Sequence, residues 1–406
     1  MTAAEKILQK VLVGSNLDSS EWNGIQAGLR DRAFFSSQVV KANILQAMRQ
    51  MAADHASGVS ASDARLQMRQ FLESIGHETP EELKGTLKDL YSKARLDVIM
   101  RTNVDQARGY ISYKEATTPG AYWAFPAQEF LRVESRKKPR LDWPMRWQKA
   151  GGKIYGGRMI ALKDDPVWVN LSVFDNPYPP FDWGSGMGVE DIPRREAVAL
   201  GLITEESLEK AVQAKEAEQS SSSFNSNLEA TINAGHWSGE VARNIQERLA
   251  DQVDITQDKD GNVFVQWKVP ILRDMFENYT PDNPSMWKLG KATDELLACC
   301  DDVSPKYRGL LAGKGLTFDN SFVTHTIREG HWLVDSNAKN MPVMPGDIEL
   351  LPSLWRAPDF IEAGGRPGSL VLCSQTLDGG ILKLPVVVKG KICVPTGVYK
   401  MRRNGD

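Results

Sequence analysis

Between Thr117 and Gly188 the chain carries eight prolines (Pro119, Pro126, Pro139, Pro144, Pro166, Pro177, Pro179 and Pro180) and five tryptophans (Trp123, Trp143, Trp147, Trp168 and Trp183). Each proline fixes φ and removes an amide donor, so no long helix survives such spacing. Short strands and turns anchored by large aromatic rings are the expected outcome. Upstream the pattern is helical. Asp18 and Glu21 open a first long segment, and Ser62 caps a second that stops at Gly76. Thr79-Pro80-Glu81-Glu82 reads as a capping box with proline at the first helical position. From there Leu83, Leu87, Leu90, Ala94 and Val98 predict one buried stripe on a helix that runs to about Tyr113. Downstream, Asp191 before Pro193, and then Thr204 before two glutamates, mark a brief helical return.

Gln219 to Asn227, with serines at 220 to 223, has little to bury and reads as a linker. The last forty residues give three apolar runs, Ser369–Leu377, Ile381–Lys389 and Lys391–Lys400, broken at Asp378-Gly379-Gly380 and Gly390. A small antiparallel meander follows from that spacing. The expected fold class is therefore multidomain α+β. A long-helix N-terminal domain (1–116) leads to a small Pro/Trp-rich α+β domain (117–218) and a Ser-rich linker (219–227). A C-terminal α+β domain (228–406) ends in a three- or four-stranded antiparallel sheet. At 406 residues the chain is too long for one core.

No run of about 20 apolar residues exists to span a membrane, and no secretory leader pattern opens the chain, so no membrane anchor and synthesis in the cytoplasm are expected. The four cysteines, Cys299, Cys300, Cys373 and Cys393, fit no zinc spacing and read as free thiols. Phosphate-loop, nucleophile-elbow, zinc-helix and dinucleotide fingerprints are all missing, and Gly309 to Gly315 with Lys314 has the wrong spacing for the first. No cofactor and no metal are expected.

The net charge of −3 excludes a general polyanion binder. From Tyr91 to Arg158, however, fourteen basic residues face six acidic ones, a local net of +8. Arg132, Arg136, Lys137, Lys138, Arg140 and Arg146 are its densest part. Two readings stand: contact with nucleic acid or an acidic partner, or a solvated face.

Three stretches carry a resemblance. They are Arg101-Thr102-Asn103-Val104-Asp105-Gln106-Ala107-Arg108-Gly109-Tyr110; Phe125 to Gln128 leading through Arg140 and Trp143-Pro144-Met145-Arg146-Trp147 to Gly152; and Asp175 to Met187 with its Pro177-Tyr178-Pro179-Pro180. Over about residues 20 to 210 the chain resembles the phage head morphogenesis family, the Mu gpF-like minor head proteins. The resemblance implies a portal-associated virion component acting in capsid assembly, DNA packaging or genome delivery. Its implied partners are the portal, other head proteins and phage DNA, and its implied location is the host cytoplasm and then the head. Many members carry histidine in the middle stretch and cysteines in the final turn, a set that suits a metal. Here Asp142 and Trp143 stand in the middle, and Pro177 to Trp183 contains neither type. Metal binding is not carried over, and Trp143, Trp147, Phe181 and Trp183 are expected to staple the domain instead.

Only five histidines occur, and two lie close together in Thr324-His325-Thr326-Ile327-Arg328-Glu329-Gly330-His331. Metal-free RNA cleavage needs a base, an acid and a cation on the phosphate. Histidine supplies the first two near neutral pH. His325, Arg328 and His331 thus form a candidate catalytic set, completed by Lys383 or Lys400, with RNA as the partner. A packing role for the same histidines is the alternative. Ser374, Gln375 and Thr376 on the first strand have two readings, phosphate binding or decoration of its outer face, whereas His55, His77 and His236 are assigned no role. Gly346-Asp347-Ile348-Glu349-Leu350-Leu351-Pro352 and Ala357-Pro358-Asp359-Phe360-Ile361 then precede the strands. Over about residues 300 to 402 this resembles the phage variants of the barnase–EndoU–colicin–RelE nuclease superfamily, often fused behind phage head proteins. That implies a ribonuclease effector as the second functional expectation.

Overall fold

Ser92, not Thr79, starts the long helix of the first half. The computed structural model describes every residue except 24, 26, 222–230, 236–248, 250, 251, 258, 260–262, 279–285, 335–338 and 404–406. It places that helix at Lys93–Ala116, with the Ser92 hydroxyl accepting from the Arg95 amide at 3.2 Å. The Thr79 hydroxyl instead donates to Asp89 at 2.9 Å. The same buried carboxylate accepts from the amides of Gly85 (2.8 Å) and Tyr91 (2.9 Å). Three donors on one carboxylate hold residues 79 to 91 in turns, and Gly85 takes φ +74° there. Only a single 3-10 turn, Glu81–Leu83, forms at the expected capping box. Leu87 is exposed, and the buried stripe is Leu96, Ile99, Met100, Val104 and Ala107.

Two compact units are interleaved along the sequence. One comprises Met1–Gln9, Arg49–Arg69 and Glu78–Asn225; the other comprises Lys10–Met48, Gln70–His77 and Ser226–Asp406. A consecutive helical domain over 1–116 is therefore not what forms, because residues 10 to 48 belong with the C-terminal half. Asp18 and Glu21 do cap a helix, but it ends at Asn23. β1 (Val11–Leu12) pairs parallel with β2 (Ala33–Phe34). Val11, Val13, Leu17, Trp22, Ile25 and Leu29 bury against Leu249, Val253, Val265 and Trp267 in one core.

In the first unit, β3 (Ala127–Arg132), β4 (Ile154–Tyr155), β5 (Arg158–Leu162) and β6 (Met187–Ile192) form an antiparallel sheet in the order β4-β5-β3-β6. Residues alternate between its faces. Phe130 lies on the face covered by Trp143 and Trp147 of the helix Trp143–Lys149, Trp168 of the helix Val167–Leu171, and Phe181. Ala127, Ile160 and Ile192 face Tyr122, Ala197, Ile203 and Leu208. The aromatic rings meet at 5.1–5.9 Å in edge, tilted and stacked pairs. At about 1.5–3 kcal/mol for each buried ring, this cluster anchors the proline-interrupted backbone. The helix Glu205–Ser221 runs through the first three residues of the expected linker, and 222–227 lie outside the described residues.

In the second unit, β7 (Thr231–Gly235), β8 (Val253–Gln257) and β9 (Val263–Trp267) form a small sheet in the order β7-β9-β8. The C-terminal sheet has eight strands, not three or four: β10 (Met286–Lys291), β11 (Gly315–Asp319), β12 (Asn340–Met341), β13 (Phe360–Ala363), β14 (Ser369–Gln375), β15 (Gly380–Lys389), β16 (Ile392–Pro395) and β17 (Tyr399–Arg402). The last apolar run splits at Pro395. β16 pairs with β15 at Val386–Lys389, and β17 pairs along the same edge at Gly380–Lys383. Because β16 also accepts β11 as a parallel neighbour, the meander grows into the larger sheet. Among the described residues no helix is long and apolar enough to cross a membrane.

Two aspartates lock this sheet. Asp347 meets Lys400 Nζ at 2.8 Å, and Asp378 meets the same ammonium at 2.7 Å. The Lys400 side chain is 1% exposed. Asp359 takes Lys41 Nζ (2.8 Å), Asn43 Nδ2 (2.7 Å) and the Gln375 amide (2.8 Å), so residues 41 to 43 are tied to β14. Removing one partner of a buried ion pair costs about 3–5 kcal/mol, since the other charge stays behind unpaired. Lys400→Met is accordingly expected to lower the unfolding free energy by about that amount in denaturant titrations. A loss under about 1 kcal/mol would show that the network does not hold the sheet.

Candidate functional site

The proline-rich turn of the first unit is built by arginines. Arg132 donates to the carbonyl of Ser185 (3.0 Å), Arg136 to that of Gly184 (2.9 Å) and Arg140 to that of Trp183 (3.1 Å). Asp182 receives Arg140 at 3.0 Å and Arg146 at 2.9 Å, and Arg146 also reaches Asp142 at 2.8 Å. Hydrogen bonding to Asp182, then Asp142, holds the Arg146 guanidinium above its ordinary pKa range. Four of the six basic residues singled out from the sequence thus cross-link the turn, while Lys137 and Lys138 lie exposed. Trp143, Trp147 and Phe181 are buried staples, with the Trp147 indole donating to the Lys153 carbonyl at 2.8 Å. Trp183 is 43% exposed and meets Phe174 edge-on.

The same turn packs on the long helix. Tyr178 lies between Tyr110 and Tyr113, with ring centres 5.8 and 5.7 Å away. Gly109 permits the approach: a Cβ there would stand 1.8 Å from the Pro179 carbonyl oxygen. Helix, turn and β3 enclose a cavity of about 780 Å³. All three stretches that carry the head-protein resemblance line it, through Arg101 to Gly109, Phe125 and Gln128, and Pro177 to Met187.

A second concavity, of about 710 Å³, lies on the C-terminal sheet. Val371 of β14 and Pro385 and Val387 of β15 form its floor. The helix Asn320–Arg328 walls it with Thr324, His325 and Arg328, and Arg366 and Lys389 add positive charge. Asp319 caps that helix, accepting from the Ser321 amide at 3.0 Å. The Thr326 hydroxyl accepts from the Val398 amide at 3.0 Å, and a Cβ on Gly397 would stand 2.7 Å from the His325 ring. His325 is thereby seated against the loop before β17. Its Nδ1 lies 3.4 Å from Arg328 and 3.9 Å from Glu329.

The four residues predicted for catalysis separate into two pairs. His325 and Arg328 line the cleft, whereas His331 and Lys383 do not. Lys383 pairs with both Glu362 oxygens at 2.7 and 2.8 Å and lies across from Tyr399 in the ladder. The His331 ring is 5.6 Å from that of Tyr399. Strand alternation puts Cys373 and Lys383 on the face of Val371 and Pro385, so this second group continues the cleft floor. Burial, then the nearby His325, lowers the His331 pKa, and its buried Nδ1 has no hydrogen-bond partner among the described residues. Lys400, the other candidate cation, is buried with Asp347 and Asp378. Ser374 and Thr376 likewise serve Asp359 and Asp378 rather than a cleft. Arg366 and Lys389 line this cleft but carry no periodicity or motif that marks them. His236 lies outside the described residues. Among the described residues no three His, Cys, Asp or Glu side chains are placed to share a metal.

No family model matches the chain, and neither a curated protein nor a solved structure matches it.

The close approach at Gly109 gives a direct test of the helix–turn packing. Gly109→Ala must displace the Pro179 carbonyl and is expected to cost about 1–3 kcal/mol, read as a lower Tm. An unchanged Tm would show that the turn moves aside freely.

Proposed function

We propose that the chain is a minor head protein of a tailed phage or prophage, acting beside the portal in capsid assembly, DNA packaging or genome delivery. One observation carries this: the three stretches that bear the family resemblance, far apart in sequence, converge on one cavity in one unit. Arg132, Arg136, Arg140 and Arg146 cross-link that unit's turn, which suits a packing module more than a catalyst. Lys137 and Lys138 remain to meet DNA or an acidic partner. The protein is made in the host cytoplasm and travels into the head. Deleting the gene from the phage genome that encodes it is expected to leave heads unfilled, seen by electron microscopy and by encapsidated DNA content. Normal titre with fully packaged heads would remove the reading.

A second reading rests on the cleft that brings His325 and Arg328 together with Arg366 on a sheet face. It makes the C-terminal part a metal-independent ribonuclease effector. Arg328 and Arg366 hold the scissile phosphate, and His325 moves a proton at the 2′- or 5′-oxygen. A positioned proton-transfer group is worth about 10²–10⁴-fold. His325→Ala in the full chain is therefore expected to slow cleavage of a labelled RNA by at least about 10²-fold at unchanged Tm. Cleavage at the original rate would remove His325 from the mechanism.

A further inference from the structure

The cleft of the C-terminal sheet extends beyond the residues that the ribonuclease reading uses. His325, Arg328, Arg366 and Lys389 are the titratable side chains that line it, and all four are basic. Of the carboxylates beside it, Asp319 caps the helix and Glu329 meets Arg328 at 3.2 Å. Glu362, opposite Val371 in the ladder, meets Lys383 at 2.7 Å. Lys389 stands at the far end of β15 from His325. The His325 ring rests against Gly397, and the preceding residue, Thr396, donates its amide to the Pro385 carbonyl at 3.0 Å. From Pro385 through Val387 to Lys389 one face of the strand runs about 13 Å at the usual rise per residue. Gly390, at φ +61°, then turns the chain towards β16 and leaves Lys391 at the tip. Lys314 reaches the same turn, donating to the Gly390 carbonyl at 2.8 Å. Lys389 and Lys391 are exposed, and their ammonium groups make no ion pair or hydrogen bond among the described residues.

We infer that the β15–β16 turn is a second phosphate subsite, where Lys389 and Lys391 hold a single-stranded nucleic acid whose scissile phosphate lies at His325. The inference rests on the ribonuclease reading for that scissile end, and it names the form of the substrate. Two cationic ends separated by about 13 Å call for an anion that repeats along a chain. A peptide with a single phosphate reaches only one of them. The floor between the ends is apolar: Val371, Pro385, Val387 and Pro395 give an unstacked base a surface to lie on. A nucleotide strand supplies both parts, phosphates at the ends and rings between them. A duplex keeps its bases paired inside and leaves that floor unused. The lysines act as point charges on a phosphate, adding affinity without reading sequence. Binding energy gathered at the remote phosphate holds the strand in register with His325.

Fluorescence anisotropy of the full chain with fluorescein-labelled oligodeoxyuridylates, a dimer and a hexamer, tests it. These probes lack the 2′-hydroxyl, so binding is read whether or not cleavage occurs. The hexamer is expected to bind at least about tenfold more tightly than the dimer. K389A/K391A is expected to weaken hexamer binding about tenfold and to reduce the slope of log affinity against log salt by about 1.4. K389R/K391R should bind like the parent, because the charges are kept. Both variants should hold the parent Tm, since neither ammonium bonds within the fold. Parental hexamer affinity in K389A/K391A, or equal affinity for dimer and hexamer, would overturn the subsite. So would full displacement of the hexamer by an equal concentration of hexaglutamate, because the turn would then be a general anion patch. Failure of His325→Ala to slow RNA cleavage removes only the ribonuclease reading, and the lysine-dependent hexamer affinity is judged apart from it.

Discussion

Asp182 organises the first unit. Its side chain, 10% exposed, receives two guanidiniums and the amide of Trp183. Charge-assisted hydrogen bonds contribute about 1.5–3 kcal/mol each, and a buried carboxylate stripped of them is strongly destabilising. Arg146 carries the link further, because it joins Asp182 of the final turn to Asp142 of the middle stretch. Four of the fourteen basic residues behind the local charge of +8, Arg132, Arg136, Arg140 and Arg146, are engaged in cross-linking the turn. A lysine-and-arginine count alone overstates the surface available to DNA.

With the turn pinned, the rest of the unit follows. The carbonyls of residues 183 to 185 are held from one side by Arg132, Arg136 and Arg140, so Pro179 can press on Gly109 from the other. The aromatic cluster beneath β3 then buries against a backbone that proline has deprived of regular ladders. A cavity remains between helix and turn because both walls are fixed by side chains that point elsewhere.

The second unit shows the same division of labour between charge and site. Asp347 and Asp359 are both ion-pair hubs that position strands. Neither lies in the cleft. The cleft draws its chemistry from the helix Asn320–Arg328 and from the sheet face opposite Lys400.

What the sequence made legible was local. Gly76 stops its helix with φ +68°, and Gly379 and Gly390 turn the terminal strands as their spacing implied. The proline and tryptophan density foretold short elements on an aromatic core. Thr79 misled because Asp89, ten residues on, competes for its hydroxyl, a contest no capping pattern displays. The pairing of β11 with β16 escaped for a similar reason: parallel neighbours remote in sequence leave no local trace. His325 and Arg328 were recognisable by type, but Arg366 and Lys389 join the cleft only through folding. The central claim is that this chain is a virion component, and mass spectrometry of purified phage particles tests it most directly. The account predicts the chain in filled heads, at low copy beside the major capsid protein. Particles that contain portal but none of this chain would contradict it.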